Sequence, residues 1–308
     1  MLNKLSDTYS KFRDKLTKIT IFSNKDSVCV IAILLCFFIF ILNYERTIIQ
    51  RDEIYLKKTN NNIILALIPN DSISDMIKEY SVWEEHVTNF FVSHVQPGEI
   101  VVELGANIGY YSTLLAKLVT KTGKVYAYEA DSDVIKLADL SLKINKLSDI
   151  VELKSLCVSN HKGITEFVCK KPSSDHSFTS DIGGAHIKRK DSEGEIRKVP
   201  TVSLDEDLPN LSHVDWMKID IEGSEILAIQ GAKRLIESSP NLKIVMEWAP
   251  NMLKEYGNLE NLIDYLFESG FSAYDILIDG SLGKKLTKED LINTREIYDI
   301  LLKRDSIN

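Results

Sequence analysis

A strand, a glycine turn and a helix follow one another from Ile100, and this order constrains the fold more than any other feature. Residues 100–104 form a short apolar run typical of a strand buried on both faces. The sequence continues as GANIG into residues 110–119, which have helical apolar spacing. This order is typical of α/β folds that bind a ligand at the N-terminus of the helix. We expect the ligand to contact Gly105, Ala106, Asn107 and Gly109.

Two carboxylates at strand ends indicate what this ligand is. Glu103 lies at the end of the first strand, where its charge would repel a phosphate but attract an amine or a hydroxyl. About twenty residues later, residues 124–128 read as a second strand that ends in Glu129. A carboxylate at that position can accept hydrogen bonds from both hydroxyls of a ribose. The sequence therefore predicts a nucleoside site that includes Glu103 and Glu129.

The spacing alone leaves two nucleoside cofactors open, a dinucleotide and S-adenosylmethionine. A dinucleotide prefers the pattern G-x-G-x-x-G, but here Asn107 and Tyr110 replace the second and third glycines. The chain also lacks the Tyr-x-x-x-Lys pair of short-chain dehydrogenases. S-adenosylmethionine needs no pyrophosphate cradle, so the looser turn favours it.

Three motifs in a fixed order give the chain a resemblance to one family. ELGANIGYYS, YEAD and MKIDIEGSE, followed by GAKRLI and IVMEW, resemble the FkbM family of S-adenosylmethionine-dependent methyltransferases over residues 82–302. The chain departs from the family pattern at Glu103, where Asp is common, and at Ala130, where Pro is usual. The resemblance implies methylation of a hydroxyl on a sugar, a lipid or another small molecule.

The predicted fold is α/β, the Rossmann-like class I methyltransferase fold. We expect a seven-stranded, mostly parallel sheet. Its sixth and seventh strands, residues 271–278 and 297–302, are joined by a connection too short for a standard crossover helix. The last strand should therefore run antiparallel.

The segment after the fourth predicted strand, residues 214–219, carries the candidate catalytic residues. Alternation along an extended segment places Lys218, Asp220 and Glu222 on one side, facing the reactive group of the cofactor. Asp220 and Glu222 are candidates for the base and the substrate anchor, and Lys218 could pair with Asp220. Glu247 is a weaker candidate. Alternatively these charges brace the loop, or carboxylates hold a divalent metal, although no ligand set is evident.

Before the enzyme domain, the chain divides into three segments. Residues 1–27 form a polar tail, residues 28–44 a transmembrane anchor and residues 45–80 a stalk, so that the domain spans residues 81–308. The run from Val28 to Leu42 contains no polar side chain beyond two cysteines. As a helix it would be roughly 22 Å long, and flanking residues can extend it toward the ~30 Å of a bilayer core. Lysine and arginine occur on both sides, so the topology is left open.

Composition limits the partners. The formal charge of -8 argues against nonspecific nucleic-acid binding. Four cysteines form no metal-binding pattern and are expected to be free thiols. Residues 173–187 are polar, and they form either a substrate lid or a plain loop. The expected protein is a single-pass membrane methyltransferase with a small-molecule or glycan acceptor. The alternative is a degenerate, non-catalytic methyltransferase fold that acts as a tethered adaptor.

Overall fold

The computed structural model describes residues 54–169, 184–189, 192 and 194–305. Within it, the glycine turn joins a strand to a helix. The strands within these residues are β1 (Tyr55–Lys58), β2 (Ile64–Leu67), β3 (Ile100–Leu104), β4 (Lys124–Tyr128), β5 (Val151–Lys154), β6 (Cys157–Val158), β7 (Gly163–Cys169), β8 (His186–Ile187), β9 (Glu195–Val202), β10 (Trp216–Ile219), β11 (Lys243–Trp248), β12 (Phe271–Ile276), β13 (Leu282–Leu286) and β14 (Tyr298–Arg304). The helices are α1 (Ser72–Tyr80), α2 (Glu85–His94), α3 (Tyr110–Val119), α4 (Ile135–Asn145), α5 (Leu204–Asp207), α6 (Glu225–Gln230), α7 (Lys233–Glu237), α8 (Pro250–Leu253), α9 (Leu259–Glu268) and α10 (Lys288–Asn293).

The central sheet positions the site. Its strand order is β13-β12-β14-β11-β10-β3-β4-β5. The five strands from β11 to β5 are parallel neighbours. Strand β14 inserts between β11 and β12 and is antiparallel to both. The mostly parallel sheet with an antiparallel last strand is therefore confirmed, and the carboxyl ends of β3, β4, β10 and β11 meet at one edge.

The sheet has eight strands instead of the predicted seven. The additional strand, β13, pairs antiparallel with β12 at the edge of the sheet. Its sequence, LGKKL, places Lys284 and Lys285 in solvent. Exposed lysines are common on edge strands because they discourage pairing with other chains. They also interrupt the apolar pattern by which a buried strand is recognised in a sequence.

Apolar side chains cover both faces of the sheet. On one face, Trp216 of β10 makes edge-to-face contacts with Phe90 and Phe91 of α2, at centroid distances of 6.0 and 5.8 Å. On the other face, Trp248 and Leu262 belong to a second buried cluster, with residues from α6, α7 and α9. Burial on both faces explains why β10 and β11 are apolar almost throughout.

A smaller sheet, in the order β6-β9-β7-β8, packs beside the central one. Residues 164–169 belong to β7, which pairs antiparallel with β9. Cys157 and Cys169 are buried free thiols. They flank Thr201 and Glu195 of β9, six residues apart, a separation of about 20 Å that rules out a disulfide between them. Cys29 and Cys36 lie outside the described residues.

The described part of the expected stalk, residues 54–80, belongs to the folded unit, Ile54–Asn308. Strands β1 and β2 form a hairpin whose backbone is held by α4. Ile64 N donates to Asn145 Oδ1 at 2.9 Å, and Ala66 N donates to Ser141 Oγ at 3.0 Å. Residues 65–68 are completely buried. This segment therefore supplies part of the core instead of a spacer.

Helix α2 begins at Glu85. Ser81 follows α1 in the left-handed conformation and closes the end of that helix. Residues 81–84 form the short connection between α1 and α2. Val87, Phe90 and Phe91 of α2 are buried.

The predicted anchor and the polar tail, residues 1–44, lie outside the described residues. Among the residues that the structure describes, no helix has the length and apolar character needed to cross a bilayer. The anchor therefore stays a prediction from the sequence.

Candidate active site

A cavity of about 460 Å³ opens at the carboxyl edge of the central sheet. Seven of the nine predicted site residues line it, namely Gly105, Ala106, Asn107, Glu129, Lys218, Asp220 and Glu222. Glu103 and Gly109 are absent from the lining. The tertiary structure therefore brings the glycine turn, the end of β4 and the end of β10 around one space, although the role of each residue stays a prediction.

Gly105 allows two strands to meet at the cavity. Its φ is +87°, and a Cβ atom built there would lie 1.9 Å from the carbonyl oxygen of Asp220. No side chain fits this contact, because real Cβ atoms do not approach a backbone oxygen so closely. Gly105 thus holds the end of β3 directly against the end of β10.

The amides of the turn are already bonded within the protein. Gly105 N and Ala106 N donate to the carbonyl of Tyr128, at 3.0 and 2.9 Å. Asn107 N donates to Glu129 Oε2 at 2.8 Å, and Gly109 N donates to the carbonyl of Ala106 at 2.8 Å. These four amides therefore already have partners within the protein, and contact between the turn and the ligand stays a prediction. A turn without free amides suits a ligand that has no pyrophosphate.

Gly109 has a packing role in this structure. A Cβ atom there would lie 2.7 Å from the Cα atom of Ala138, so the glycine lets α3 approach α4. Contact between Gly109 and the ligand stays a prediction. The glycine does permit a close approach, and the group that approaches it here is helix α4.

Glu129 lines the cavity and ties the turn to β4. Its Oε2 accepts from Asn107 N, and its Oε1 accepts from Asp131 N at 2.7 Å. Burial raises the pKa of Glu129 to about 7, although both backbone hydrogen bonds oppose this shift. A carboxylate has about four acceptor positions, so capacity remains for the two hydroxyls of a ribose. The residue fits the expected nucleoside.

The smaller sheet gives the cavity an apolar wall that we did not predict. The wall is formed by Leu156, Cys157, Val158, Phe167 and Ala185. Cys157 and Phe167 also belong to the buried cluster of this sheet. An apolar wall near a few fixed polar groups is typical of cofactor pockets and suits a purine base.

Glu103 is completely buried and does not line the cavity. Its Oε2 accepts from Ser112 Oγ at 2.5 Å, and its Oε1 has no hydrogen-bond partner among the described residues. Burial raises the pKa of Glu103 to about 7, with Ser112 and Lys218 opposing the shift. This carboxylate is bonded to helix α3 through Ser112, and ligand binding by Glu103 stays a prediction.

Lys218 is the buried cation of the site, with 2% of its surface exposed. Its Nζ lies 2.8 Å from Asp220 Oδ2 and 4.6 Å from the ring centroid of Tyr111. Burial lowers the pKa of Lys218, but the charges of Asp220 and Glu84 outweigh burial and raise it above its usual value. Lys218 therefore stays protonated and holds Asp220 in place.

The extended segment on which we placed the three catalytic candidates ends at Ile219. Glu222 lies in a turn with φ at +57°, a left-handed conformation that costs energy for a residue other than glycine. Asp220 and Glu222 still share the cavity. The turn after β10 places both side chains at the cavity, and alternation along a strand is not the reason.

Sequence reasoning missed two residues of this end of the cavity, Glu84 and Tyr111. Tyr111 OH donates to Glu84 Oε2 at 2.9 Å, and both side chains line the cavity. No local pattern marks Glu84, which precedes α2 and lies more than a hundred residues from Asp220 in the sequence. Tyr111 is part of the quoted YYS motif, but its position on α3 suggested only packing.

Glu247, the weaker candidate, also lines the cavity. Burial raises its pKa well above the ordinary value, and the neighbouring carboxylates Asp220 and Glu222 add to the shift. The raised pKa favours the protonated form of Glu247. A protonated carboxyl can donate a hydrogen bond but cannot take up a proton.

No group of three or more His, Cys, Asp or Glu side chains among the described residues is arranged to hold a metal ion. His86 pairs with Asp299 at 3.0 Å, and His94 bonds to the carbonyl of Phe90. Most of the expected lid lies outside the described residues. Its described end lines the cavity through Gly184 and Ala185.

Comparison with known proteins gives a family and several distant similarities. Protein-L-isoaspartate O-methyltransferase of Aeropyrum pernix is 43% identical over 58 residues, which cover 19% of this chain and only 22% of that protein. An O-methyltransferase of Bacillus cereus, solved with SAH, is 13% identical and covers 72% of this chain and 80% of its own, with a TM-score of 0.42. A Thermotoga maritima S-adenosylmethionine-dependent O-methyltransferase is 16% identical and covers 82% and 78%, with a TM-score of 0.38.

The family match is more extensive. The model of the methyltransferase FkbM domain matches residues 103–273, from the end of β3 to β12. These are 171 of the 308 residues and include the glycine turn, Glu129 and the turn after β10. Because the match covers more than half of the sequence, the chain belongs to the FkbM family of S-adenosylmethionine-dependent methyltransferases.

Proposed function

We propose that this protein transfers the methyl group of S-adenosylmethionine to a hydroxyl oxygen of a glycan, a glycolipid or another small molecule. The observation that carries the proposal is the Lys218–Asp220 ion pair, which lines the same cavity as Glu129. A cofactor held at Glu129 and an acceptor held at Asp220 would therefore share one space. The bound cofactor supplies an electrophilic methyl carbon on a sulfonium.

The residues at one end of the cavity bind the cofactor, and those at the other end bind the acceptor. Glu129 accepts hydrogen bonds from the ribose hydroxyls, and the apolar wall of the smaller sheet holds the base. Asp220 anchors the acceptor through a polar group other than the hydroxyl that is methylated, with Glu222 as a second anchor. Lys218 pairs with Asp220 and orients it. Such positioning of two reactants is a large part of catalysis in a displacement reaction.

We also propose that the enzyme is anchored in a membrane by residues 28–44. The support is the apolar run in the sequence, which is long enough to span a bilayer with its flanking residues. An anchor confines the domain to the membrane surface. Acceptors that are themselves attached to lipid would then be concentrated near the cavity.

Calorimetry and radiolabel transfer test the reaction. The full-length chain in detergent should bind S-adenosylmethionine and its demethylated product, but not NAD. With methyl-tritiated cofactor and a glycolipid extract, label should enter a product that is stable to mild alkali, as an ether is and an ester is not. Binding without any transfer, over extracts of glycans, lipids and small metabolites, would favour the adaptor function.

Carbonate extraction tests the anchor. Full-length protein should remain with membranes in alkaline carbonate, and a chain that lacks residues 1–45 should be released. A double substitution to Asp within the apolar run, at Leu34 and Phe38, is a finer control because it keeps the length of the chain. Release of the intact wild-type protein by carbonate would contradict the proposal.

A further inference from the structure

Glu84 contributes a carboxylate to the acceptor end of the cavity from outside the matched family region. It precedes α2, and the family match begins only at Glu103. Its side chain lines the cavity, where Tyr111 OH donates to its Oε2 at 2.9 Å. Its second oxygen, Oε1, receives no hydrogen bond from the described residues. Glu84 is therefore oriented by one partner and has capacity to bind another.

The backbone of Glu84 is strained. Its φ and ψ are 39° and 69°, a left-handed conformation that typically costs about 1–3 kcal/mol for a residue other than glycine. Glu84 stands at the N-cap of α2, where side chains commonly bond to the helix amides, but it makes no such bond. Thr88 Oγ1 instead donates to the carbonyl of Trp83 at this helix end. With this strained backbone, the Glu84 carboxylate lies at the cavity and does not bond to the amides of α2.

Several charged groups act on Glu84. Burial raises the pKa of Glu84 well above its ordinary value; Lys218 opposes this shift, and Asp220 and Asp299 add to it. The other charged or titratable groups nearby are Tyr111, His86, Glu222 and Glu247. A carboxylate with a pKa near neutrality is a better general base than one with an ordinary pKa.

Asp220 is the obvious rival for the same task. Its Oδ2 lies 2.8 Å from the buried ammonium of Lys218, so the charge of Asp220 already balances a buried cation. Glu84 has a neutral phenol as its bonded partner. A proton on Glu84 Oε1 leaves both the phenol bond and the Lys218–Asp220 pair intact.

We propose that Glu84 is the general base that takes the proton of the acceptor hydroxyl, with Tyr111 as its positioning residue; this inference rests on the proposed transfer to a hydroxyl. The acceptor oxygen forms a bond to the methyl carbon as the bond between that carbon and sulfur breaks, and its electron pair stays on sulfur. The hydroxyl proton passes to Glu84 Oε1. One sulfonium and one carboxylate become a neutral thioether and a neutral carboxylic acid, so charge and atoms balance.

Two acceptor probes separate proton removal from binding. n-Octyl β-D-glucoside offers sugar hydroxyls that need a base, whereas 4-nitrophenol is already ionised in weak alkali and needs none. The full-length wild type, Glu84→Gln and Tyr111→Phe are compared by transfer from tritiated cofactor. Glu85→Gln is the matched control, because Glu85 is the exposed neighbour on the same helix end.

Glu84→Gln should lose on the order of 10²–10⁴-fold in turnover on the glucoside, but much less on the nitrophenolate. Its affinity for S-adenosylmethionine should stay within about threefold of wild type. Tyr111→Phe should show a smaller loss, again confined to the glucoside, and Glu85→Gln should match wild type. Wild-type turnover of the glucoside by Glu84→Gln would overturn the base assignment while leaving the proposed function intact. Equal losses on both probes, with weaker cofactor binding, would mean a structural role.

A readout that needs no acceptor covers the case in which the wild type methylates neither probe. The infrared band of the protonated carboxyl, isolated as wild type minus Glu84→Gln, gives the ionisation of Glu84 directly. We expect its midpoint near neutral pH in the full-length protein. A midpoint in the ordinary acid range of a glutamate would overturn the inference. Lack of cofactor binding by wild type would instead refute the cofactor site.

Discussion

The two ends of the cavity are built in different ways. At the cofactor end, a single continuous turn supplies Gly105, Ala106 and Asn107, and Glu129 bonds to the backbone of that turn. At the acceptor end, Glu84, Asp220 and Glu247 arrive from three distant segments. The buried ammonium of Lys218 is the cation among them. One end is a local motif, and the other is a cluster of charges assembled by the fold.

This difference predicts how each end responds to change. The cofactor end depends on backbone geometry, so it should fail when a side chain is added. The acceptor end depends on the balance between one cation and several carboxylates, so it should fail when a charge is removed. Gly105 affects both ends, because it belongs to the turn at the cofactor end and contacts the carbonyl of Asp220 at the acceptor end.

The largest effect is therefore expected from Gly105→Ala. The new Cβ atom would collide with the Asp220 carbonyl, and the residue would keep a positive φ. We expect the free energy of unfolding to fall by about 2–4 kcal/mol, with cofactor binding and turnover lost together. Urea unfolding and calorimetry measure both. Gly163→Ala is the control, because its nearest neighbour would lie 3.4 Å away; a stable variant that binds the cofactor normally would contradict the link between the ends.

Asp220→Asn should affect the acceptor end alone. The variant keeps the shape of the side chain but removes the charge that faces Lys218 and is proposed to anchor the acceptor. Turnover should fall by on the order of 10²–10³-fold, while the dissociation constant of S-adenosylmethionine changes by less than about threefold. Steady-state kinetics on an identified acceptor and calorimetry separate these effects. Asp149→Asn, at an exposed position, should leave both turnover and the dissociation constant unchanged. Activity near wild type would remove Asp220 from the mechanism.

Glu129→Gln should affect the cofactor end alone. The amide cannot accept from both Asn107 N and Asp131 N and also bind two ribose hydroxyls. Affinity for S-adenosylmethionine should fall about 10- to 100-fold, with the acceptor KM at saturating cofactor unchanged. In wild type, affinity should rise as the pH increases through about 7, the pKa of Glu129, because the ionised form is the better acceptor. Affinity independent of pH, or an unaltered constant in the variant, would count against the ribose contact.

The smallest effect is expected at Glu103, which belongs to the motif but not to the cavity. Its pKa of about 7 in the folded state lies above the ordinary 4.5. The stability it contributes is therefore full below pH 4.5 and is lost as the pH rises toward 7. Glu103→Gln should flatten the fall in stability over that range by about 1 kcal/mol per pH unit. Unfolding at several pH values tests this, with the exposed Glu237→Gln as control. An unchanged slope would show that Glu103 is ionised when buried.

Particular residues show how far the sequence could be read. The order of strand, turn and helix, the antiparallel β14 and the position of Glu129 were predictable, because each depends on a pattern within a short segment. The sequence could not reveal β13, whose exposed lysines hide its apolar face, or the packing of residues 54–80 on α4. It also suggested that the turn amides face a ligand, although Tyr128 and Glu129 occupy them.

The sequence by itself determined the parallel sheet, its carboxyl edge and the family. These depend on burial periodicity and on glycine positions, which are local properties of the chain. Only the tertiary structure decided which charges share the cavity. Glu84, Lys218 and Glu247 are far apart in the sequence, and their protonation depends on mutual distance and on burial, which exist only when the sheet and its helices have assembled.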